Sequence, residues 1–108
     1  MKKYVITYNV VECFHHYPNA PKTCQYLANE HRHLFHIRCW FEVEHNNRQV
    51  EINTRQNEIE VWLRYRYGTP CQFHERSCED IAQDILVNFN AFKVQVLEDN
   101  YGGAEITK

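Results

Sequence analysis

Few residues in this chain interrupt regular structure, because glycine and proline occur only three times each among 108 residues. We find no Gly- or Pro-rich linker, repeat or low-complexity tract that would divide it. No apolar run reaches the 18 residues of a membrane span, and the first residues lack the unbroken apolar segment of a secretion signal. The net charge is −2 with scattered basic residues, which disfavours nucleic-acid binding. These absences predict a single domain, residues 1–108, that binds neither nucleic acid nor a membrane.

Cysteine is present but not in the patterns of a disulfide scaffold. The five cysteines form an odd number and include no C-x-x-C pair. A disulfide framework is therefore disfavoured, and we expect a reducing, cytoplasmic location.

Alternating apolar and polar residues predict strands over residues 3–15, 32–44 and 92–98, with a short last strand over 104–107. Ser77 is a candidate N-cap, with Asp80 three residues later, and an apolar stripe then predicts a helix over 78–90. Residues 54–67 fit either a strand or a helix. Residues 17–30 are expected to form a long loop of functional interest. This order predicts an α+β fold in which helices pack on one face of an antiparallel sheet.

Histidines concentrate where the first two strands would meet. His31 and His33 are two residues apart and therefore share one face of a strand, close enough to bind one ion. An antiparallel hairpin brings the end of the first strand beside them, so His15 or His16 is available as a third ligand. We favour His15, because its face carries the small Cys13, and a bulge would exchange the two. Three imidazoles leave a fourth position open, as in catalytic zinc sites.

Together these residues resemble the 6-pyruvoyl-tetrahydropterin synthase / 6-carboxytetrahydropterin synthase family over nearly the whole chain. His15 resembles the histidine that ends the family's first strand, and His31-Arg32-His33 resembles its H-G-H motif. Val50-Glu51-Ile52-Asn53 resembles a V-x-D-F element, which favours a helix for residues 54–67. Val94 to Asp99 resembles the strand that carries the family's pterin-binding glutamate.

The resemblance implies the tunnelling fold (T-fold), a four-stranded antiparallel sheet in the order ββ(α)αββ. Members of this fold assemble into closed barrels, and open sheet edges are hazardous, so a trimer or hexamer is expected. The implied activity is a zinc-dependent lyase acting on 7,8-dihydroneopterin triphosphate in the queuosine route. The alternative is a catalytically inactive protein that binds a pterin- or purine-like ligand. It is favoured by the short segment between the two helical regions, which in the family carries an Asp-His proton relay.

Four further residues are candidates for the site. Cys24 resembles the catalytic cysteine, although it could be a small buried apolar residue, and His74 is the nearest substitute for the relay histidine. Glu98 resembles the glutamate whose carboxylate accepts two hydrogen bonds from a pterin ring, its alternative being a surface residue at a strand end. Ser77 is expected to cap a helix and to contact the ligand through its hydroxyl.

Overall fold

The computed structural model describes residues 1–108 and has an α+β fold. Five strands form one mixed sheet in the order β3-β1-β2-β4-β5, with two α-helices and a short 3₁₀ segment. The elements are β1 (Lys3–His15), the 3₁₀ segment (Lys22–Ala28), β2 (His31–Val43), α1 (Ile52–Tyr67), β3 (Cys71–His74), α2 (Cys78–Phe89), β4 (Lys93–Glu98) and β5 (Gly102–Thr107). None of the helices is both long and apolar enough to cross a membrane.

The β1–β2 hairpin is the longest pairing and sets the geometry of the sheet. Its antiparallel register runs from Lys3 opposite Val43 to His15 opposite His31. Because side chains alternate along a strand, the odd-numbered residues of both strands face the helices. The most buried side chains of β2 lie on that face; they are Phe35, Ile37, Cys39 and Phe41.

Both α-helices cover this apolar face, and each begins at a residue that caps it. Residues 54–67, which fitted either a strand or a helix in sequence, belong to helix α1. The Glu51 carboxylate caps this helix by accepting hydrogen bonds from the backbone N–H groups of Asn53 and Thr54. Ser77 and Asp80 form the predicted capping box at the start of α2. Fully buried contributions from the helices include Ile59, Ile81, Ala82 and Ile85.

The sheet differs from the predicted one in the number and direction of its strands. A four-stranded, wholly antiparallel sheet is wrong, because β3 forms a fifth strand that pairs in parallel with the end of β1. Cys13 and Cys71 are direct partners in that pairing, and a disulfide joins them. The cysteine count did not indicate this single cross-link. The expected loop over residues 17–30 contains the 3₁₀ segment, whose backbone is non-helical at Cys24.

Most of the outer edge of β1 has no strand beside it, since β3 pairs only with its last residues. Gln56 of α1 lies against this edge. Its side-chain oxygen accepts a hydrogen bond from the Tyr8 backbone N–H at 2.9 Å, and its carbonyl accepts one from the Asn9 side chain at 3.0 Å. Helix α1 thus accepts hydrogen bonds from a backbone N–H and a side-chain amide at this edge, where no strand is present to accept them.

Candidate metal centre

Strand register brings His15, His31 and His33 together at one end of the helix-facing side of the sheet. His15 lies opposite His31, and His33 lies opposite Cys13, two positions further along the hairpin. The ring centroid of His15 lies 4.4 Å from that of His31 and 5.3 Å from that of His33. One nitrogen from each of the three rings lies within 4.8 Å of the other two. The structure therefore selects His15 over His16 as the third member of the cluster.

Hydrogen bonds to residues outside the cluster fix the orientation of two of these rings. His31 Nδ1 lies 2.8 Å from the Asn29 carbonyl oxygen, and His33 Nδ1 lies 2.6 Å from Asp99 Oδ2. Both partners are hydrogen-bond acceptors, so each Nδ1 carries the ring proton and donates it. In a neutral imidazole this leaves Nε2 with a free lone pair. Metal-binding histidines are oriented in the same way by a carbonyl or carboxylate.

Two of the Nε2 atoms are buried without a hydrogen-bond partner, those of His15 and His33. Buried polar atoms without partners are rare in folded proteins, because leaving one unsatisfied costs about 1–3 kcal/mol. Two such atoms directed into one cluster indicate a site that a ligand completes.

Burial first, and then the neighbouring His31, His33 and His16, together lower the pKa of His15 to about 4. His15 is 9% exposed, which is consistent with that cause. At neutral pH its ring is therefore uncharged, as a metal ligand must be.

Glu98 contacts this cluster from β4. It lies opposite Phe35 in the β2–β4 register, on the same face as His33. Its Oε1 is 3.3 Å from His15 Nε2, and its Oε2 is 3.5 Å from His33 Nε2. The carboxylate is about one-third exposed, at 35%, and borders a neighbouring cavity.

A cavity of about 560 Å³ opens beside the histidines, within the usual size range of small-molecule sites. Two predicted substrate contacts, Glu98 and Ser77, line it. The Ser77 hydroxyl also accepts the Asp80 backbone N–H at 3.1 Å, so it combines capping with exposure to the cavity. The other lining residues are His15, His16, Tyr17, Leu27, His31, Glu75, Arg76, Cys78, Glu79, Gly102 and Gly103.

The two predicted catalytic residues do not line this cavity. Cys24 lies in the 3₁₀ segment, whereas Tyr17 and Leu27 form the cavity wall on that side. His74 ends β3 with an exposed side chain, and its carbonyl accepts the His16 backbone N–H at 2.8 Å. The structure thus brings together the predicted metal ligands and substrate contacts but not the predicted proton carriers.

In comparisons with known proteins, no family model matches this chain, and no curated protein matches it either. Three imidazoles in one cluster, two of them with buried and unpartnered Nε2 atoms, suit a divalent ion of the zinc type, which prefers nitrogen and sulfur ligands.

Sequence reasoning missed two residues of the site. Strand alternation places the Asp99 side chain on the face opposite Glu98, yet its left-handed backbone (φ 52°) accompanies a side chain that contacts His33. Asp and Asn tolerate this conformation best, so the Asp99-Asn100 pair was the available signal. Cys78 lines the cavity with its Sγ 3.8 Å from Glu98 Oε1. Burial, with the Glu98 charge beside it, raises the pKa of this thiol to about 12, so it is protonated at neutral pH.

Proposed function

We propose that this chain is a metal-dependent lyase of the tunnelling fold that acts on a pterin, as 6-carboxytetrahydropterin synthase acts on 7,8-dihydroneopterin triphosphate. The supporting observation is the cluster of His15, His31 and His33, with two unpartnered Nε2 atoms, at the edge of a cavity of about 560 Å³. The zinc assignment comes from the resemblance and from the ligand types. A tunnelling-fold origin and assembly as a trimer or hexamer belong to the same proposal. A cytoplasmic location also belongs to it, but only through the queuosine route, because the Cys13–Cys71 disulfide removes the argument from the cysteine count.

The residues of the cavity have distinct roles in this proposal. The three histidines hold the ion, which supplies charge stabilisation for oxygen atoms of the substrate side chain. Glu98 accepts two hydrogen bonds from the planar N–H groups of the ring, and the Ser77 hydroxyl contacts the ligand. These contacts would hold the side chain of the substrate beside the histidines, so that the reacting atoms are oriented before bonds break.

A second function is favoured by a specific observation. Cys24 and His74 do not line the cavity, so the two groups that the resemblance assigns to proton transfer are not beside the substrate position. A protein that binds a metal ion and a pterin- or purine-like ligand without turnover would need neither group there. Cys78 lines the cavity instead, and it is a second thiol to test as a proton carrier.

The experiment combines metal analysis with turnover on the same preparation. For the lyase we expect one zinc per chain and zinc-dependent loss of 7,8-dihydroneopterin triphosphate, followed by mass spectrometry of the products. His15→Ala should lose the metal and the turnover. His36→Ala is the matched control, because His36 lies on β2 but faces away from the cluster, and it should retain both. Cys24→Ala and Cys78→Ala then identify the thiol that turnover requires.

Three results separate the functions. Zinc and pterin binding without product favour the binding protein. Turnover that persists in His15→Ala contradicts the role of the histidine cluster. A wild-type protein that binds neither zinc nor a dihydropterin contradicts both functions.

A further inference from the structure

The Glu98 carboxylate does more than border the cavity, because each of its oxygens faces a different histidine of the cluster. Oε1 is 3.3 Å from His15 Nε2, and Oε2 is 3.5 Å from His33 Nε2. Neither contact has the geometry of a hydrogen bond, since both nitrogens lack a partner. A role as a ring anchor alone does not account for these two contacts.

The contact with His33 brings two hydrogen-bond acceptors face to face. Asp99 Oδ2 lies 2.6 Å from His33 Nδ1, and a carboxylate can only accept, so the proton of a neutral ring is on Nδ1. His33 Nε2 then carries a lone pair and lies 3.5 Å from Oε2 of Glu98, which also bears lone pairs. Two such acceptors repel each other unless a proton or a metal cation lies between them, and the lack of hydrogen-bond geometry favours the metal cation.

The distances match those between two ligands of one tetrahedral ion. Donors bound at about 2.0–2.1 Å in a tetrahedral site lie roughly 3.3–3.4 Å from each other. The two Glu98 contacts, at 3.3 and 3.5 Å, are close to this separation. His31 is the remaining ligand of the set. Its Nδ1 donates to the Asn29 carbonyl, which leaves its Nε2 for the ion.

We infer that Glu98 is the fourth ligand of the metal ion when no substrate is present, so that the resting centre is His15, His31, His33 and Glu98. This inference rests on the metal centre and the pterin ligand of the proposed function. A parallel pair of N–H groups approaches a carboxylate from the side on which both oxygens lie, and this is the side that faces the histidines, so the ion and the ring compete for it. Binding of a pterin therefore draws Glu98 away from the ion and opens the fourth position only when substrate is in the cavity.

The test uses Co²⁺ as a spectroscopic substitute for zinc and azide as a probe of an open ligand position. In the metal-reconstituted wild-type protein, azide should leave the visible Co²⁺ spectrum unchanged, because all four positions are filled by the protein. In Glu98→Gln, azide should shift that spectrum, and Co²⁺ affinity measured against a chelator should fall about tenfold or more. Neopterin, a pterin with the same ring edge, should make the wild-type spectrum respond to azide.

Glu79→Gln is the matched control, because Glu79 is an exposed carboxylate lining the same cavity. It removes one negative charge and should keep wild-type Co²⁺ affinity within about twofold. An azide response in the wild-type protein without neopterin overturns the inference and leaves the histidine centre intact. That arm needs no variant, so it decides the matter even if Glu98→Gln fails to fold.

The remaining outcomes separate this inference from the proposed function. A wild-type protein that binds no Co²⁺ overturns the metal centre, and the inference with it. If azide acts only on Glu98→Gln and neopterin has no effect, Glu98 is the fourth ligand but the exchange with a pterin is contradicted. Unchanged Co²⁺ affinity in Glu98→Gln overturns the ligand assignment.

Discussion

Asp99 Oδ2 lies 2.6 Å from His33 Nδ1, and the other oxygen of the same carboxylate accepts the Leu34 backbone N–H at 3.0 Å. These two bonds hold the pKa of Asp99 below its ordinary value, the backbone N–H contributing most and His33 next. One turn residue therefore fixes both the orientation of a candidate metal ligand and the protonation pattern of its ring. The Asp99 carboxylate would affect a bound ion only through His33, whose ring it orients.

Asp99→Asn should weaken metal binding while leaving the fold in place. Asparagine tolerates the left-handed backbone at this position, but its neutral side chain holds the His33 proton less strongly. Outer-shell substitutions of this kind cost about 10- to 100-fold in metal affinity. Chelator competition measures the change. Glu60→Gln, which removes a surface carboxylate paired with Arg64, should change affinity by less than about twofold, and equal affinities for all three proteins would contradict the role of Asp99.

Thiol counting tests the cross-link between β1 and β3. In the denatured but unreduced protein we expect three reactive thiols, those of Cys24, Cys39 and Cys78, and five after reduction. Reduction should lower the free energy of unfolding by about 2–4 kcal/mol, because the link closes a long loop between residues 58 apart in sequence. Five reactive thiols before reduction would show that Cys13 and Cys71 are not joined.

Adjacent glycines at the start of β5 should differ sharply in their tolerance of alanine. A Cβ on Gly103 would overlap the Val96 backbone of β4, whereas one on Gly102 would meet nothing within 4 Å. Gly103→Ala should therefore cost about 1–3 kcal/mol, as overpacking does, and lower the melting temperature by several degrees. Gly102→Ala should melt within about one or two degrees of wild type. Equal melting temperatures for the two variants would contradict the close β4–β5 approach.

Alkaline pH should destabilise the fold through the buried Cys39. Burial raises the pKa of this thiol to about 12, from an ordinary value of 9.0. The unfolded chain releases that proton first, so the stabilisation is complete below pH 9 and is lost progressively from pH 9 to 12. The full effect is on the order of 4 kcal/mol. The raised pKa of Tyr67, caused by burial and then by the hydrogen bond to Asp84, acts in the same direction.

Urea unfolding of wild type and Cys39→Ala at pH 8 and pH 10.5 checks this prediction. The variant lacks the titrating thiol, so the difference in unfolding free energy between the two proteins should shrink as the pH rises. A constant difference would show that Cys39 does not titrate between the folded and unfolded states.

The sequence pattern predicted the strands and the helix whose limits are set by neighbouring residues. Alternation gave β1 its observed limits, Lys3–His15, and β2 to within one residue at each end. The cap at Ser77 placed the start of α2 correctly. The hairpin then brought His15 and the His31/His33 pair together, because an antiparallel register follows from two adjacent strands.

Features that depend on long-range pairing were not predictable in this way. β3 has only four residues and pairs in parallel with β1, whose partner positions are 58 or 59 residues earlier, so no local periodicity marks it. The approach of Glu98 to His33 depends on the β2–β4 register, which the sequence pattern does not specify. The side-chain direction of Asp99 depends on a single left-handed residue.

Gln56 has a consequence for how copies of this chain could join. By bonding to the Tyr8 N–H, it occupies a backbone donor on the exposed edge of β1 that an incoming strand would need, and the outermost strands of the sheet are β5 on one side and the four-residue β3 on the other. A ring built by continuing the sheet from copy to copy must then match β5 to β3. Because His74 at the end of β3 pairs with His15, and Gly102 and Gly103 at the start of β5 line the cavity, such a seam would lie one strand away from the histidine cluster.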